Sequence, residues 1–290
     1  MVSWFWITGW IITVMSFLGN GFTIYLITTR RRLFTLPNWF ILSLAVADFL
    51  FVLCYFPASF FCNLLFHSCN REYRIMVASL FMYASVTNLL TMTIDRYIAI
   101  ALPLRYLVLV TSRRVLAAIF SAWAFPLVLA AIQYQVERAG SKSLQRVFEI
   151  TRLATVEVTP AVILVTSTIR MLLIRRKHMR QAAIQVSQLL YNRRRGIPDC
   201  LFKLSRKREL SSVQVICVVV SVFIVCYAMN ISLSFCIGLE ICDPPREVRE
   251  LLAILLMVNS LINPFAYAFL KNDIKKECKA LFRRKFKTGK

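Results

Sequence analysis

Charge is scarce in this sequence, and histidine scarcer. Only 17% of the 290 residues are charged, against about 25% in ordinary soluble domains. At the same time 58% are hydrophobic and the mean hydropathy is +0.64. That balance excludes a single water-soluble core. The two histidines, His67 and His178, stand far apart in the chain. No histidine cluster, Gly-x-Ser-x-Gly turn or metal-ligand spacing accompanies them, so the sequence shows no catalytic apparatus and reads as a non-enzyme. Acidic residues number 14 against 36 Lys and Arg, a formal charge of +22. In a soluble protein this excess points to nucleic acid; here the distribution of the charges decides otherwise. The internal repeat that marks many transporters is also missing.

The chain does have long uncharged runs: residues 1–29, 33–70 broken only by Asp48, 75–94, 115–136, 210–239 and 251–270. A helix crossing the hydrocarbon layer needs ~20 apolar residues, so each run predicts a span. Leu153 to Ile174 is a poorer seventh candidate because it contains Glu157 and Arg170, the latter placed to snorkel to the headgroups. The expected fold is an all-α membrane protein, a seven-transmembrane helix bundle over residues 1–271. Its spans are expected at about 4–29, 38–62, 74–98, 114–135, 151–175, 210–237 and 248–270. Residues 272–290 are expected to form a short amphipathic surface helix and a basic cytoplasmic tail. With the amino end outside, 28 basic residues fall inside and eight outside, the pattern of the positive-inside rule. The basic runs are then topology signals with some attraction for anionic membrane lipids, and no nucleic-acid partner is expected. Without a basic region ahead of it, the first run reads as a retained anchor, so an extracellular ligand is expected to meet the bundle and its short loops.

Of nine cysteines, only Cys62, Cys69, Cys236 and Cys242 lie near the outer face, where a disulfide persists. Three pairings are open, and Cys236 with Cys242 is the candidate disulfide across the third outer loop. Cys278 shares a helical face with Ile274, Leu281 and Phe282 after the last span. It is a lipidation candidate or a plain buried thiol.

A mid-span carboxylate costs about +2.5 to +3.5 kcal/mol on insertion scales, so Asp48 must face other helices. Asn20, Ser85, Asn88, Asn259, Ser260 and Asn263 lie at comparable depth. Such a carboxylate holds a small cation, stays protonated, or glues helices together. At the inner end of the third span stand Asp95, Arg96 and Tyr97, and Glu209 opens the sixth span at similar depth. Arg96 has either Asp95 or an acid of another helix to pair with. In the last span Asn263, Pro264 and Tyr267 put a helix-breaking proline beside amide and phenol groups.

Taken in order, these residues resemble the rhodopsin-like (class A) G-protein-coupled receptors along nearly the whole chain. Gly19 and Asn20 resemble the first-helix motif, Leu44, Ala45, Ala47 and Asp48 the second, and Asp95, Arg96 and Tyr97 the third. Ala99, Pro103, Leu104 and Tyr106 repeat the loop pattern that follows. Trp123 matches the fourth helix, Pro160 the fifth, Phe223 with Cys226 the sixth, and Asn263, Pro264 and Tyr267 the seventh. The resemblance implies an allosteric sodium ion at Asp48, Ser85, Asn259, Ser260 and Asn263, with no other cofactor. It also implies a latch between Arg96 and Glu209, and Leu104 docking into a heterotrimeric G protein. Arrestin, a receptor kinase and a plasma-membrane location follow from the same likeness.

Departures are equally specific. Tyr227, Ala228 and Met229 replace the sixth-helix Trp-x-Pro, Thr168 replaces a fifth-helix tyrosine, and the second outer loop, 135–152, has no cysteine. The missing bridge is similar to the melanocortin and lipid receptor branch. Ala78 stands where amine receptors carry an aspartate and Met257 where opsins carry their lysine, which disfavours biogenic amines and retinal. Arg71 and Arg74 resemble in placement a headgroup-binding residue of lipid receptors. Together with Ala78, Tyr227 and Asn230 they are the candidate ligand contacts, for an acidic lipid or a small peptide. The alternative is an ion-coupled transporter or channel using Asp48; the odd span count, the missing repeat and the cytoplasmic latch stand against it.

Overall fold

The computed structural model describes residues 4–64, 69–192, 199–238 and 242–288. Side chains are described for all of these except 63–64, 71, 182–183, 185–192, 199–214, 216, 237–238 and 282–288. The described residues are helical almost throughout. The helices are α1 (Trp4–Thr29), α2 (Leu36–Leu64), α3 (Arg71–Ala101), a one-turn α4 (Tyr106–Leu109) and α5 (Ser112–Ala139). They continue with α6 (Lys142–Arg152), α7 (Thr159–Asn192), α8 (Asp199–Gly238), α9 (Arg246–Leu270) and α10 (Asn272–Thr288). Among the described residues, seven helical stretches are long and apolar enough to cross a membrane, and the amphipathic α10 follows the last of them.

Apolar side chains cover both the lipid-facing surface and the core, as expected where lipid replaces water outside a bundle. Exposed Ile7, Ile11 and Leu18 line the outside of α1, while its Asn20, Ser16 and Thr23 are buried against neighbours. Polarity therefore points inward. Close approach of α1 to α9 uses a small residue: a Cβ on Gly19 would lie 2.8 Å from the Pro264 ring, so glycine there lets the two helices seat directly against each other.

Two local features depart from the sequence expectation. The stretch 135–152, expected as a loop, is almost wholly helical. Gly140 closes α5 in the left-handed region at φ 65°, and the Ser141 side chain accepts from the Leu144 N–H to start α6. The expected fifth span also extends beyond 151–175. α6 runs without a break through a π-helical stretch, Leu153–Val158, into α7. Pro160 offers no N–H and its ring crowds the carbonyl four residues back, so a wider turn before it relieves the clash.

Two disulfides close neighbouring helix ends, Cys62 with Cys69 between α2 and α3, and Cys236 with Cys242 between α8 and α9. Cys278 is a free, half-buried thiol packed against the main core, beside buried Ile274.

Candidate functional site

Three polar clusters sit inside the apolar bundle at three depths. The middle one centres on Asp48, which is fully buried. Its carboxylate accepts from Ser85 Oγ of α3 at 2.6 Å, and from Ser260 Oγ and Asn263 Nδ2 of α9 at 2.9 and 2.6 Å. Asn20 Nδ2 of α1 donates to the Ser260 carbonyl at 3.2 Å. One side chain thus draws α2, α3 and α9 together, and α1 follows. Asn259, grouped with this site on sequence, makes no hydrogen bond to the carboxylate. Among the described residues its Oδ1 is buried without a donor, as are Asn20 Oδ1 and Asn263 Oδ1. A hydroxyl that donates to a carboxylate keeps lone pairs free, so Ser85 and Ser260 retain acceptor capacity. An all-oxygen set of this kind suits a hard cation. Beside it, Trp123 Nε1 of α5 donates to Ser43 Oγ at 2.9 Å, and Ser43 donates to Asn88 Oδ1 at 2.6 Å, tying α5, α2 and α3.

The second cluster lies at the end of α3. Arg96 Nε donates to Asp95 Oδ2 at 2.8 Å, a second guanidinium nitrogen reaches the same carboxylate, and the Tyr106 hydroxyl donates to Asp95 Oδ1 at 2.9 Å. Burial and the adjacent Asp95 carboxylate push the Tyr106 phenol up to about 12. Tyr97 packs against the main core, and Leu104 is 96% exposed. Glu209 lies on α8 with its side chain outside the described residues, so the Arg96 geometry is defined here by Asp95 and Tyr106. Above this end, Met92, Phe223 and Tyr267 belong to one buried cluster, with the Tyr267 hydroxyl 3.9 Å from Met92 Sδ.

Near the same end, Lys271 is buried between α9 and α10. Its ammonium donates to Asn38 Oδ1 and lies 3.3 Å from Asp273 Oδ2, while Asn38 Nδ2 donates to the Leu33 carbonyl at 2.7 Å. Burial pulls Lys271 down from its ordinary 10.5 to about 8, against the opposing pull of Asp273. Burial alone would raise the Asp273 carboxyl, but Lys271 and its hydrogen bonds hold it below its usual value.

The third cluster, toward the opposite end, was not anticipated. Arg152 is 8% exposed and donates to Glu149 Oε2 at 2.7 and 2.9 Å, and to Glu157 Oε1. Residues five apart point roughly 140° away from each other on an α-helix; the π turn brings Arg152 and Glu157 onto one side. Glu157 is 4% exposed and its Oε2 has no donor among the described residues. It lies within electrostatic reach of Tyr83 and Tyr227. Tyr83 donates to Gln133 Oε1 at 3.0 Å, and Tyr227 stacks on Phe223 with centroids 4.1 Å apart. Pro160 was the available signal, since a proline three residues beyond a buried acid marks where the helical register must change.

The other expected ligand contacts are less concentrated. Arg74 and Ala78 are half-buried on α3, the Arg71 side chain lies outside the described residues, and Asn230 Nδ2 is engaged by the Cys226 carbonyl of its own helix at 3.0 Å. Of the histidines, His67 lies outside the described residues. Among the described residues no group of three or more His, Cys, Asp and Glu is placed to hold a metal ion.

The family described as 7 transmembrane receptor (rhodopsin family) matches residues 19–267. The chain is 25% identical to a D(1)-like dopamine receptor of Takifugu rubripes, over 91% of its own length and 67% of that protein's. It is 27% identical to a histamine H2 receptor of Rattus norvegicus over 94% of its length and 77% of the relative. For the octopamine receptor beta-1R of Drosophila melanogaster the figures are 26%, 95% and 61%.

Lys271 makes stability depend on pH with a definite sign. Below about 8 the ammonium is charged in both folded and unfolded chain; between about 8 and 10.5 only the folded form has released its proton. Stability therefore rises through that window. Thermal unfolding in detergent should show a rise that Lys271→Met lacks, and equal pH slopes for the two proteins would contradict the buried-ammonium assignment.

Proposed function

Because the chain belongs to the rhodopsin family of seven-transmembrane receptors, we propose that it converts binding of a small molecule between the helices into activation of a heterotrimeric G protein at the Arg96 end. The observation that carries this reading is the stacking of three buried polar clusters along one bundle, with Arg96 held at one end by Asp95, whose carboxylate also accepts from Tyr106. Charge placement supports that end as the cytosolic one. Exposed Leu104 beside it supports docking of the G protein, with arrestin and a receptor kinase as further users of the same face and the plasma membrane as the location. The family match does not favour an ion-coupled transporter or channel built on Asp48.

In the mechanism, the resting bundle keeps Arg96 folded back on its neighbour. A ligand that prefers the opened packing shifts the population in proportion to its differential affinity for the two states. Opening separates α8 from α3 and frees the guanidinium, a planar fork of donors, for the partner's carboxy-terminal helix. Glu209 on α8 is the second acid proposed to restrain Arg96. A sodium ion at Asp48, Ser85, Asn259, Ser260 and Asn263 would supply the positive charge that neutralises the buried carboxylate in the resting state. The open amide oxygens around Asp48 support that site.

For the ligand, the Arg152 cluster favours a donor-bearing or cationic small molecule. Two carboxylates share one guanidinium, and Glu157 keeps one buried oxygen open. An acidic lipid, the expectation from Arg71 and Arg74, would meet an arginine already engaged by two acids. Amines appear in the names of the relatives, and a carboxylate on the fifth span supplies what Ala78 on the third lacks.

Each part has its own measurement. With receptor and G protein reconstituted together, Arg96→Ala should abolish basal nucleotide exchange and Glu209→Ala should raise it; normal exchange by Arg96→Ala would contradict the latch. Sodium should raise the thermal midpoint of the native protein, and Asp48→Asn should remove that dependence; an unchanged response would eliminate the cation site. In a screen of small amines read by G-protein sensors, Glu157→Gln should weaken any response by roughly tenfold or more, the scale of a charge-assisted hydrogen bond. A response indifferent to the substitution would move the ligand elsewhere.

A further inference from the structure

Arg152 stands between two acids of unequal exposure. The Glu149 side chain is 41% exposed, and its Oε2 accepts from both Nε and Nη2 of the guanidinium, at 2.9 and 2.7 Å. Glu157 is buried and accepts a single contact, from Nη1 to its Oε1. Eight residues of helix separate the two acids, roughly 12 Å at 1.5 Å per residue. Glu149 therefore lies toward the surface and Glu157 toward the core, with the guanidinium between them. Tyr83 of α3 is within electrostatic reach of all three charges, and Tyr227 of α8 is within reach of Glu157. Two carboxylates against one guanidinium leave the group one negative charge in excess. Glu157 Oε2, without a donor among the described residues, has room to accept from a newcomer before Arg152 has left.

We propose that Arg152 is a displaceable internal counter-ion, a gate over Glu157 that yields only to a ligand bringing one compact positive charge with N–H donors: an ammonium, an amidinium or a guanidinium. The inference rests on the ligand reading above and adds the device that selects the ligand. In the exchange, the incoming cation takes the place of Nη1 at Glu157 Oε1 and donates also to Oε2. The guanidinium keeps its two contacts to Glu149 and swings outward with that half-exposed side chain. Each acid thus retains a counter-ion throughout. A buried carboxylate stripped of its partner is strongly destabilising, so a neutral molecule of the same shape is rejected, and an anion more so. The volume the cationic head needs is the one the guanidinium vacates.

The test uses the full-length protein in nanodiscs, with methylguanidinium as the probe, methylurea as its neutral counterpart and the thermal midpoint as the readout. Arg152→Gln removes the competitor, so its midpoint should respond to methylguanidinium at a dose roughly tenfold to a hundredfold lower than the native protein needs, the scale of a charge-assisted hydrogen bond. Glu149→Gln removes the resting place of the arginine and should shift the dose the other way, to roughly tenfold higher. The response should vanish in the combined Arg152→Gln, Glu157→Gln variant, and methylurea should produce none in any protein. A merely structural ion pair gives no such opposed signs. A dose in Arg152→Gln equal to or above the native one, or methylurea as effective as the cation, would overturn the gate. If Arg152→Gln does not fold, Glu149→Gln decides alone, since an unchanged or lower dose there also overturns it. No G protein is present in this measurement, so cation binding with the expected signs, beside a signalling response indifferent to Glu157→Gln, would remove the signalling role and leave the exchange standing.

Discussion

A charged or strongly polar group inside hydrocarbon has no water to turn to, so every such group in this bundle has to be met by another helix. Asp48 shows the consequence most directly. Its three donors come from two other helices, and through Ser260 a fourth helix joins by way of Asn20. Leaving that carboxylate unmet would cost several kcal/mol on the scale for buried unpaired charge, a large share of the total stability of a folded domain. Apolar packing between helices is weakly directional because lipid tails are as apolar as leucine. The polar contacts therefore set which faces meet.

The proposed switch rests on the same constraint. Its contacts are concentrated at Asp48, at Arg96 with Asp95 and Tyr106, and at Arg152 with its two glutamates. Between these levels lie close-packed side chains such as Met92, Phe223 and Tyr227. Packed interiors respond to a local change by moving between discrete arrangements more than by bending smoothly. In the proposed mechanism, a ligand that alters one polar cluster is thereby coupled to the others. Membership of the rhodopsin receptor family gives this arrangement its signalling context.

Much of this was legible in the sequence because the membrane imposes a length and a charge rule. Six charge-free runs correspond to helices, and Asp48 stood out through the cost of burying it. The fifth span was the hardest to read, since Glu157 and Arg170 interrupt its apolar run, yet it is part of the longest membrane-crossing candidate, Lys142–Gln181. Its outer extension looked like a loop because its residues are charged; Gly140 and Ser141 make it a turn followed by a capped helix. The pairing of Arg152 with Glu157 was invisible to a 3.6-residue period because it depends on a π turn. Lys271 with Asn38 escaped for another reason: they are 233 residues apart, and no local spacing encodes such a contact.

The central claim is that the Arg96 end alternates between a closed and an opened packing of α3 and α8. Electron–electron resonance between spin labels at the inner ends of these two helices measures that separation directly, with nucleotide-free heterotrimeric G protein as the probe. The account predicts two distance populations, the longer one growing as G protein is added. A single distance, unmoved at saturating G protein, would contradict it.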